Sequence, residues 1–263
     1  ATDYPTRAKA MAEEVRRTRP HVVGLQEVSD ITIDLAALGL PVDIRIDFLP
    51  VLLRELEARG LTYEAVATVR NIEATPLPGI LLVDFDVLLV DTRRVQVDRS
   101  TIVARTYQAN LGVVAPGVTL QRGWVQVTGR VNGISYTFVN THLESGSQAG
   151  LAQLRAAQAS EVIAVNADQE RVLILGDLND IPGSPMWQAF AAAGYDGGRQ
   201  LHFEQHDEVM SKYRHWLRQP GYRDSSAMKA SNARRYSSDC GSLWSAPSLV
   251  LNRLGPGAAF NKR

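Results

Sequence analysis

Apolar residues near the start of the chain occur at helical spacings and in short continuous runs. Residues 7–18 carry apolar side chains three and four positions apart, which predicts a helix. Residues 49–56 carry a second apolar stripe, and Gly60 is a fitting stop for the helix that this stripe predicts. Between these segments, the apolar run 21–25 is typical of a buried strand.

The clearest local signal is a hairpin in the middle of the chain. The β-rich runs 124–129 and 134–140 flank Asn132 and Gly133, a favoured pair for a type I′ turn. Both central positions of that turn need a positive φ angle, which asparagine and glycine tolerate. We therefore predict two antiparallel strands, the second of which ends at His142.

Strand-like and helical patterns alternate through the rest of the chain. Ser184 and Pro185 suit the N-cap and first position of a short helix, and Gly194 suits its end. Further strands are predicted at 63–69, 80–90 and 172–175, and a further helix at 151–165. Hairpins combined with helix-linked strands predict an α/β sandwich of mixed sheets with helices outside.

Composition narrows the function classes only slightly. Lys plus Arg equal Asp plus Glu at 28 each in 263 residues, so no net charge attracts nucleic acid or anionic membranes. The single cysteine, Cys240, excludes an intrachain disulfide and a thiolate-based zinc site. No apolar run approaches the roughly 20 residues that a membrane-spanning helix needs.

Three polar clusters follow apolar runs that predict strands. They are Gln26-Glu27, Asn140-Thr141-His142 and the segment 177–180. Each cluster alone is as well explained by ordinary turn or loop residues. Together, a carboxylate, an Asp/Asn pair and an imidazole suit a hard divalent cation and a phosphate, because Mg²⁺ binds one or two carboxylates and keeps several waters.

The strings at 23–28, 140–144 and 175–180 resemble three signature motifs of the endonuclease/exonuclease/phosphatase superfamily, in the order of that superfamily. The resemblance also covers 85–89 and 122–125. It implies a four-layer, DNase I-like α/β sandwich, in which two mixed β-sheets pack face to face with helices outside. It further implies a Mg²⁺-dependent phosphodiesterase or phosphatase, with Mn²⁺ or Ca²⁺ as alternative cofactors.

The resemblance also implies roles for individual residues. Glu27 matches the glutamate that binds the metal. His142 matches the histidine that contacts the scissile phosphate, and Asp177 and Asn179 match the catalytic pair that orients the attacking water and the phosphate. Asn140 is placed among the substrate-binding residues.

Both ends of the chain depart from the family pattern. No residue before Glu27 supplies the asparagine that ends the family's first strand, and Asp3, the nearest candidate, lies in a different context. Ser238-Asp239-Cys240 carries a cysteine where the family's final motif has its histidine. We therefore expect a single domain over 1–263 that lacks the first strand and the usual C-terminal motif. If the chain is the whole protein, we expect catalysis to be weak or absent, and the alternative is a non-catalytic binding or structural protein.

The substrate class stays open between nucleic acid and a phospholipid headgroup. Basic residues interleaved with aromatics at 212–235 suit a nucleic acid, although an ordinary solvated surface explains them as well. A sphingomyelinase-like enzyme needs an exposed apolar hairpin, which the sequence does not reveal, so the nuclease is favoured. His202 and His206 are spaced as zinc ligands on a helix, but a solvated helix face is the better interpretation. The sequence predicts no oligomeric state.

Overall fold

The computed structural model describes residues 3–195 and 249–252, and strands predominate in it. The elements in chain order are α1 (Tyr4–Thr18), β1 (Val22–Asp34), β2 (Asp43–Asp47), α2 (Phe48–Glu57), β3 (Tyr63–Leu77), β4 (Ile80–Asp91), β5 (Gln96–Thr106), β6 (Gly112–Ala115), β7 (Val118–Leu120), β8 (Gly123–Val131), β9 (Ile134–His142), α3 (Leu151–Val165), β10 (Val172–Asp177), α4 (Pro185–Ala192) and β11 (Leu249–Asn252).

The strands form two sheets. The larger sheet has the order β11-β1-β4-β3-β7-β6, with β2 paired to β1 as well, and each of its described pairings is antiparallel. The smaller sheet has the order β10-β9-β8-β5 and mixes a parallel β10–β9 pair with antiparallel ones.

Alternate residues along the central strands enter different cores, which produces four layers. Val23 packs in a core with α1 and α2, whereas its neighbour Val22 packs between the sheets. In the smaller sheet, Phe138 lies between the sheets and Val139 packs in a core with α3 and α4. Side chains point alternately to the two faces of a strand, so each sheet buries both of its faces. The predicted α/β sandwich is confirmed.

The predicted hairpin is confirmed. Asn132 and Gly133 have φ angles of 50° and 82°, and Val131 pairs with Ile134 across the turn. The strand register then carries β9 to His142 opposite the start of β8. Local turn chemistry was sufficient here because a two-residue turn fixes the register of both strands.

Helix ends also follow local chemistry. Ser184 Oγ accepts a hydrogen bond from Trp187 N at 3.3 Å, and Pro185 opens α4, as predicted. Asp3 has the same role for α1, since its Oδ1 accepts a hydrogen bond from Thr6 N at 3.3 Å. Asp3 therefore acts as a helix cap in this structure.

The prediction that Glu27 follows the end of a strand was wrong. β1 continues to Asp34, and its register with β4 shifts between Leu25 and Val28. Gln26 and Glu27 thus form a β-bulge, which adds a residue to one strand and bends it. The backbone of β1 stays paired with β4 on both sides of Gln26 and Glu27, so these polar side chains do not end the strand. They lie at a bulge within it.

Some predicted features lie outside the described residues. They are the basic stretch 212–235, the pair His202 and His206, and the segment 238–240. The described residues all belong to one compact unit. None of the helices within 3–195 is long and apolar enough to cross a membrane.

Candidate active site

His142 and Asp177 end two neighbouring parallel strands. β9 and β10 pair in register, so that Thr141 lies beside Gly176 and His142 beside Asp177. Parallel strands bring their carboxyl ends to the same edge of a sheet, where α/β proteins place ligands. The structure therefore brings these two predicted site residues together.

Asn140 links this edge to the larger sheet. Its Nδ2 donates hydrogen bonds to the carbonyl oxygens of Leu25 and Val87, both at 3.1 Å, and its Oδ1 accepts one from Gln26 Nε2 at 2.6 Å. A Cβ at Gly24 would come within 2.3 Å of Asn140 Oδ1, so the glycine makes room for this contact. The amide is fully buried, and its substrate-binding role stays a prediction.

Glu27 and Asn179 share an uncommon backbone conformation. Their φ angles are 57° and 50°, and the other non-glycine residues with positive φ in the described chain are Arg19 in a helix cap and Asn132 in a turn. Asparagine tolerates this conformation, whereas for Glu27 it costs on the order of 1–3 kcal/mol, and such strain tends to occur at functional sites. The strained backbone of Glu27 therefore points to the same region as the sequence motifs.

Asn179 is held against the ends of both strands. Its backbone N donates to Asp177 Oδ1 at 2.9 Å, and its Nδ2 donates to the carbonyl oxygen of Leu143 at 2.8 Å. The carboxylate of Asp177 is oriented by the first contact. The second contact fixes the Asn179 side chain relative to His142, the residue before Leu143.

Two buried carboxylates, Asp84 and Asp86, lie on the larger sheet near this edge, and the sequence analysis did not identify them as site residues. Burial raises the pKa of Asp84 to about 6, which the positive charge of Arg122 opposes. Burial also raises the pKa of Asp86 well above its ordinary value, and the negative charges of Asp84 and Glu27 add to that rise. Asn71 opposes it, although the two side chains form no hydrogen bond of normal geometry. Acidic residues within the otherwise apolar run 80–90 were the available signal.

Arg122 and His142 form a buried pair. Arg122 Nη1 lies 3.0 Å from His142 Nδ1, and both side chains are almost completely buried. A guanidinium can only donate, so Nδ1 accepts and the imidazole is the neutral tautomer with its proton on Nε2. Burial and the charge of Arg122 both lower the pKa of His142 well below its ordinary value. His142 therefore offers a hydrogen-bond donor and not a positive charge.

Carboxylates lie near the buried Arg122–His142 pair. Glu144 Oε1 lies 3.6 Å from Arg122 Nε, Asp86 Oδ1 lies 3.8 Å from His142 Nδ1, and the charge of Arg122 acts on both Asp84 and Asp86. Removing a charge from such a buried group leaves its partners uncompensated, which is costly. The string at 122–125 alone indicates no role for Arg122, because only the fold brings this residue beside His142.

Helix α3 supports the loops that follow His142 and Asp177. Arg155 Nε donates to Asp180 Oδ2 at 2.8 Å, and its Nη1 donates to the carbonyl oxygen of Glu144 at 3.2 Å. Gln158, which interrupts the apolar face of the helix, is fully buried and accepts a hydrogen bond from Glu144 N at 2.9 Å. These polar residues on an inward face replace apolar packing with hydrogen bonds to the loop backbone.

The chemistry of the donor set fits a divalent cation. In the described chain no three His, Cys, Asp or Glu side chains converge as a ready metal site, but Mg²⁺ needs only one or two carboxylates. Asp84 Oδ2 and both oxygens of Asp86 are buried and accept no hydrogen bond. The negative charges of Glu27 and Asp84 act on Asp86, and the positive charge of Arg122 opposes them. A cation bound near these carboxylates would lower the cost of burying Asp84 and Asp86 in their charged form.

Several solved structures are similar to this chain. A humanized D. rerio TDP2 with 14 mutations is 17% identical over 78% of this chain and 73% of its own, with a TM-score of 0.45. The catalytic domain of human Nocturnin is 16% identical over 73% of this chain and 63% of its own, with a TM-score of 0.44. An endonuclease/exonuclease/phosphatase from Beutenbergia cavernae is 23% identical over 75% of this chain and 50% of its own, with a TM-score of 0.49.

The chain thus spans between half and about three quarters of the length of these structures. No curated protein sequence matches it. Residues 1–233 match the model of the Endonuclease/Exonuclease/phosphatase family, which is most of the 263-residue chain. The chain therefore belongs to the Endonuclease/Exonuclease/phosphatase family, a family of phosphoester hydrolases.

Proposed function

We propose that this chain is a metal-dependent hydrolase of phosphodiesters. The observation that supports the proposal is that a set of carboxylates from the larger sheet lies near a neutral histidine and a further carboxylate from the smaller sheet, at one edge of the sandwich. Glu27, Asp84 and Asp86 supply negative charge from the larger sheet, while the neutral His142 and the carboxylate of Asp177 come from the smaller one. A cation and a phosphate need such complementary surroundings.

Glu27 would hold the metal ion, for which Mg²⁺ is the first candidate and Mn²⁺ or Ca²⁺ are alternatives. When bound, the ion neutralises charge on the phosphate oxygens. Asp84 and Asp86 lie behind this position, and their charge strengthens the attraction for a cation. Their burial favours a cation over water as the compensating partner.

The remaining residues act on the phosphate and the water. His142 donates the Nε2 proton in a hydrogen bond to an oxygen of the scissile phosphate, because Arg122 occupies its Nδ1. Asp177 accepts a hydrogen bond from the attacking water, and Asn179 keeps that carboxylate in place through its backbone N. Positioning of this kind lowers the barrier by removing the entropy cost of bringing the reactants together.

The preference for a nuclease came from the basic stretch at 212–235, which lies outside the described residues. The expectation of weak turnover came from Ser238-Asp239-Cys240, which also lies outside them. The nuclease preference stays a prediction, and weak or absent turnover is the alternative that the following assay tests. The function proposed from the described site extends to the phosphodiester class alone.

The test is hydrolysis of bis(p-nitrophenyl) phosphate by the chain in Mg²⁺ and in EDTA. We expect turnover that requires Mg²⁺ and that Glu27→Ala abolishes. Glu57→Ala is the control, because Glu57 is an exposed glutamate at the end of α2. Absence of Mg²⁺-dependent turnover, or equal rates for the two variants, contradicts the proposal.

A further inference from the structure

The larger sheet continues beyond the candidate site, and the face that carries Asp84 and Asp86 continues with it. Along β4, the side chains of Asp86, Asp84, Leu82 and Ile80 share one face, because strand residues alternate between two faces. The first two are the buried carboxylates of the site, and the last two are aliphatic. Successive members of the row are about 7 Å apart, so the aliphatic part begins about 7 Å beyond Asp84.

The neighbouring strands extend this aliphatic surface sideways. Leu82 pairs with Ile31 of β1, which pairs with Ile46 of β2; Ile80 pairs with Ile33, which pairs with Ile44. Directly paired residues share a face of the sheet. We call this surface the aliphatic platform, and it consists of Ile31, Ile33, Ile44, Ile46, Ile80 and Leu82.

The platform is accessible although it is apolar. Ile44 and Ile46 expose 47% and 39% of their surface, and the other four members are half-buried. Contiguous exposed apolar surface on a protein usually marks a place where something binds. The platform meets that description directly beside the candidate site.

The opposite face of the same β1–β2 ribbon is polar. Asp30 pairs with Asp47, Thr32 pairs with Arg45, and Arg45 Nη2 forms an ion pair with Asp30 Oδ2 at 2.6 Å. The ribbon is thus charged on one face and purely aliphatic on the face that it shares with the site. A ribbon with water on both sides has no reason for this asymmetry.

We propose that the aliphatic platform binds the hydrocarbon part of a phosphodiester lipid whose phosphate reaches the candidate site. This inference rests on the proposed function and names its substrate class. One amphipathic molecule can touch both surfaces, because only one residue separates Asp84 from Leu82 along β4. Burial of hydrocarbon against the isoleucines supplies affinity in proportion to the area removed from water.

The lack of cations and of aromatic rings disfavours a nucleic acid on this surface. A nucleic acid gains affinity from cations along its phosphates and from aromatic rings that stack on its bases. The platform carries neither, and Arg45 lies on the opposite face of the ribbon. A lipid needs neither group at its hydrocarbon end.

The first test compares two substrates with the same phosphodiester. Dihexanoylphosphatidylcholine below its critical micelle concentration carries acyl chains, and glycerophosphocholine does not. We expect the chain in Mg²⁺ to hydrolyse the acylated substrate with at least about a tenfold higher kcat/KM. Ile44→Ser and Ile46→Ser should each reduce that preference, and Leu81→Ser should not, because Leu81 is 38% exposed on the opposite face of β4.

The second test measures binding without catalysis, as co-sedimentation with phosphatidylcholine vesicles in EDTA. We expect the unmodified chain and Leu81→Ser to bind, and Ile44→Ser to bind several-fold less. If bis(p-nitrophenyl) phosphate is not hydrolysed while this binding pattern holds, the proposed function fails and the platform stands. If that ester is hydrolysed but acyl chains give no preference, the lipid proposal is overturned and the proposed function stands.

Two further outcomes overturn the lipid proposal. A chain that ignores vesicles and forms dimers that Ile44→Ser dissociates, measured by analytical ultracentrifugation, would show that a second copy covers the platform. A chain that does not bind vesicles and stays monomeric would show that neither a lipid surface nor a second copy covers the platform. Circular dichroism of each variant checks that it is folded, and the comparison of substrates by the unmodified chain needs no variant.

Discussion

The tautomer of the His142 imidazole is fixed by one neighbour. Arg122 Nη1 donates a hydrogen bond to Nδ1 at 3.0 Å, and Asp86 Oδ1 lies 3.8 Å from the same nitrogen. With the arginine present, Nδ1 must accept, so the proton stays on Nε2. Without it, Nδ1 can take a proton and pair with Asp86. Arg122 is therefore a positioning residue for His142.

Replacing Arg122 tests this role directly. We expect Arg122→Leu to raise the pKa of His142, because it removes a positive charge and leaves a carboxylate beside Nδ1. The ¹⁵N shift of Nδ1 should then change from that of an acceptor to that of a protonated nitrogen, and Arg122→Lys should retain the unmodified pattern. Arg94→Leu is the matched control, because Arg94 Nη2 contacts His21 Nε2 at 2.8 Å in a second Arg–His pair. An unchanged His142 spectrum in Arg122→Leu would refute the assignment.

Asp84 is a second residue whose burial has a measurable cost. Its pKa in the folded chain is about 6, against an ordinary value of 3.8. The folded chain therefore binds more protons than the unfolded one between these values, so stability falls as the pH rises through that interval. Above it, the charged carboxylate keeps the folded state less stable by up to about 3 kcal/mol.

We expect Asp84→Asn to unfold at higher urea concentration than the unmodified chain at pH 7 in EDTA. The difference should shrink as the pH falls toward 4, because the folded carboxyl is then protonated and the unfolded one is only partly ionised. Ser29 Oγ, which contacts Asp84 Oδ1 at 3.3 Å, can still donate to the asparagine, so packing is retained. Equal stability of the two proteins at pH 7 would contradict this expectation. Higher stability with weaker Mg²⁺ binding would identify Asp84 as a residue kept for function.

At the scale of single elements, the sequence predicts what local chemistry decides. The Asn132-Gly133 turn and the Ser184 cap needed only neighbouring residues, and both are as predicted. The continuation of β1 past Glu27 depends on its pairing with β2 and β4, which no local pattern reveals. For the same reason, the sequence motifs indicated His142 but not Arg122, because their contact joins the residue before β8 to the end of β9.

Asn140 joins elements that are far apart in the chain. Its Nδ2 bridges the backbones of β1 and β4 from a position in β9, through carbonyl oxygens of Leu25 and Val87. Asn140→Asp preserves the shape but replaces this donor with an oxygen that faces two carbonyls. We expect a loss of about 3 kcal/mol or more in the free energy of unfolding, from unsatisfied buried acceptors. Asn132→Asp in the exposed turn is the control, and urea unfolding is the measurement. Equal losses in the two variants would show that Asn140 does not hold the sheets together.

At the scale of the whole molecule, each sheet contributes a different half of the site. Glu27, Asp84 and Asp86 belong to the larger sheet, whereas His142 and Asp177 belong to the smaller one. The core between the sheets holds these two sets of residues next to each other. This division explains why the site residues are widely separated in sequence, and it suggests that cation binding and phosphate chemistry can be separated by substitution.

Substitutions in the two sheets should affect Mg²⁺ binding and turnover differently. Mg²⁺ at a hundredfold excess over its Kd stabilises a protein by about 2.7 kcal/mol, because only the folded state binds it. We expect the unmodified chain and His142→Gln to show this rise in Tm, and Glu27→Gln to lose it. Turnover of bis(p-nitrophenyl) phosphate should fall in both variants, for His142→Gln by about 10²–10⁴-fold if Nε2 transfers a proton and by less if it only donates a hydrogen bond. Loss of the Mg²⁺ effect in His142→Gln would mean that the smaller sheet also holds the cation. Cation binding and phosphate chemistry could then not be assigned to separate sheets.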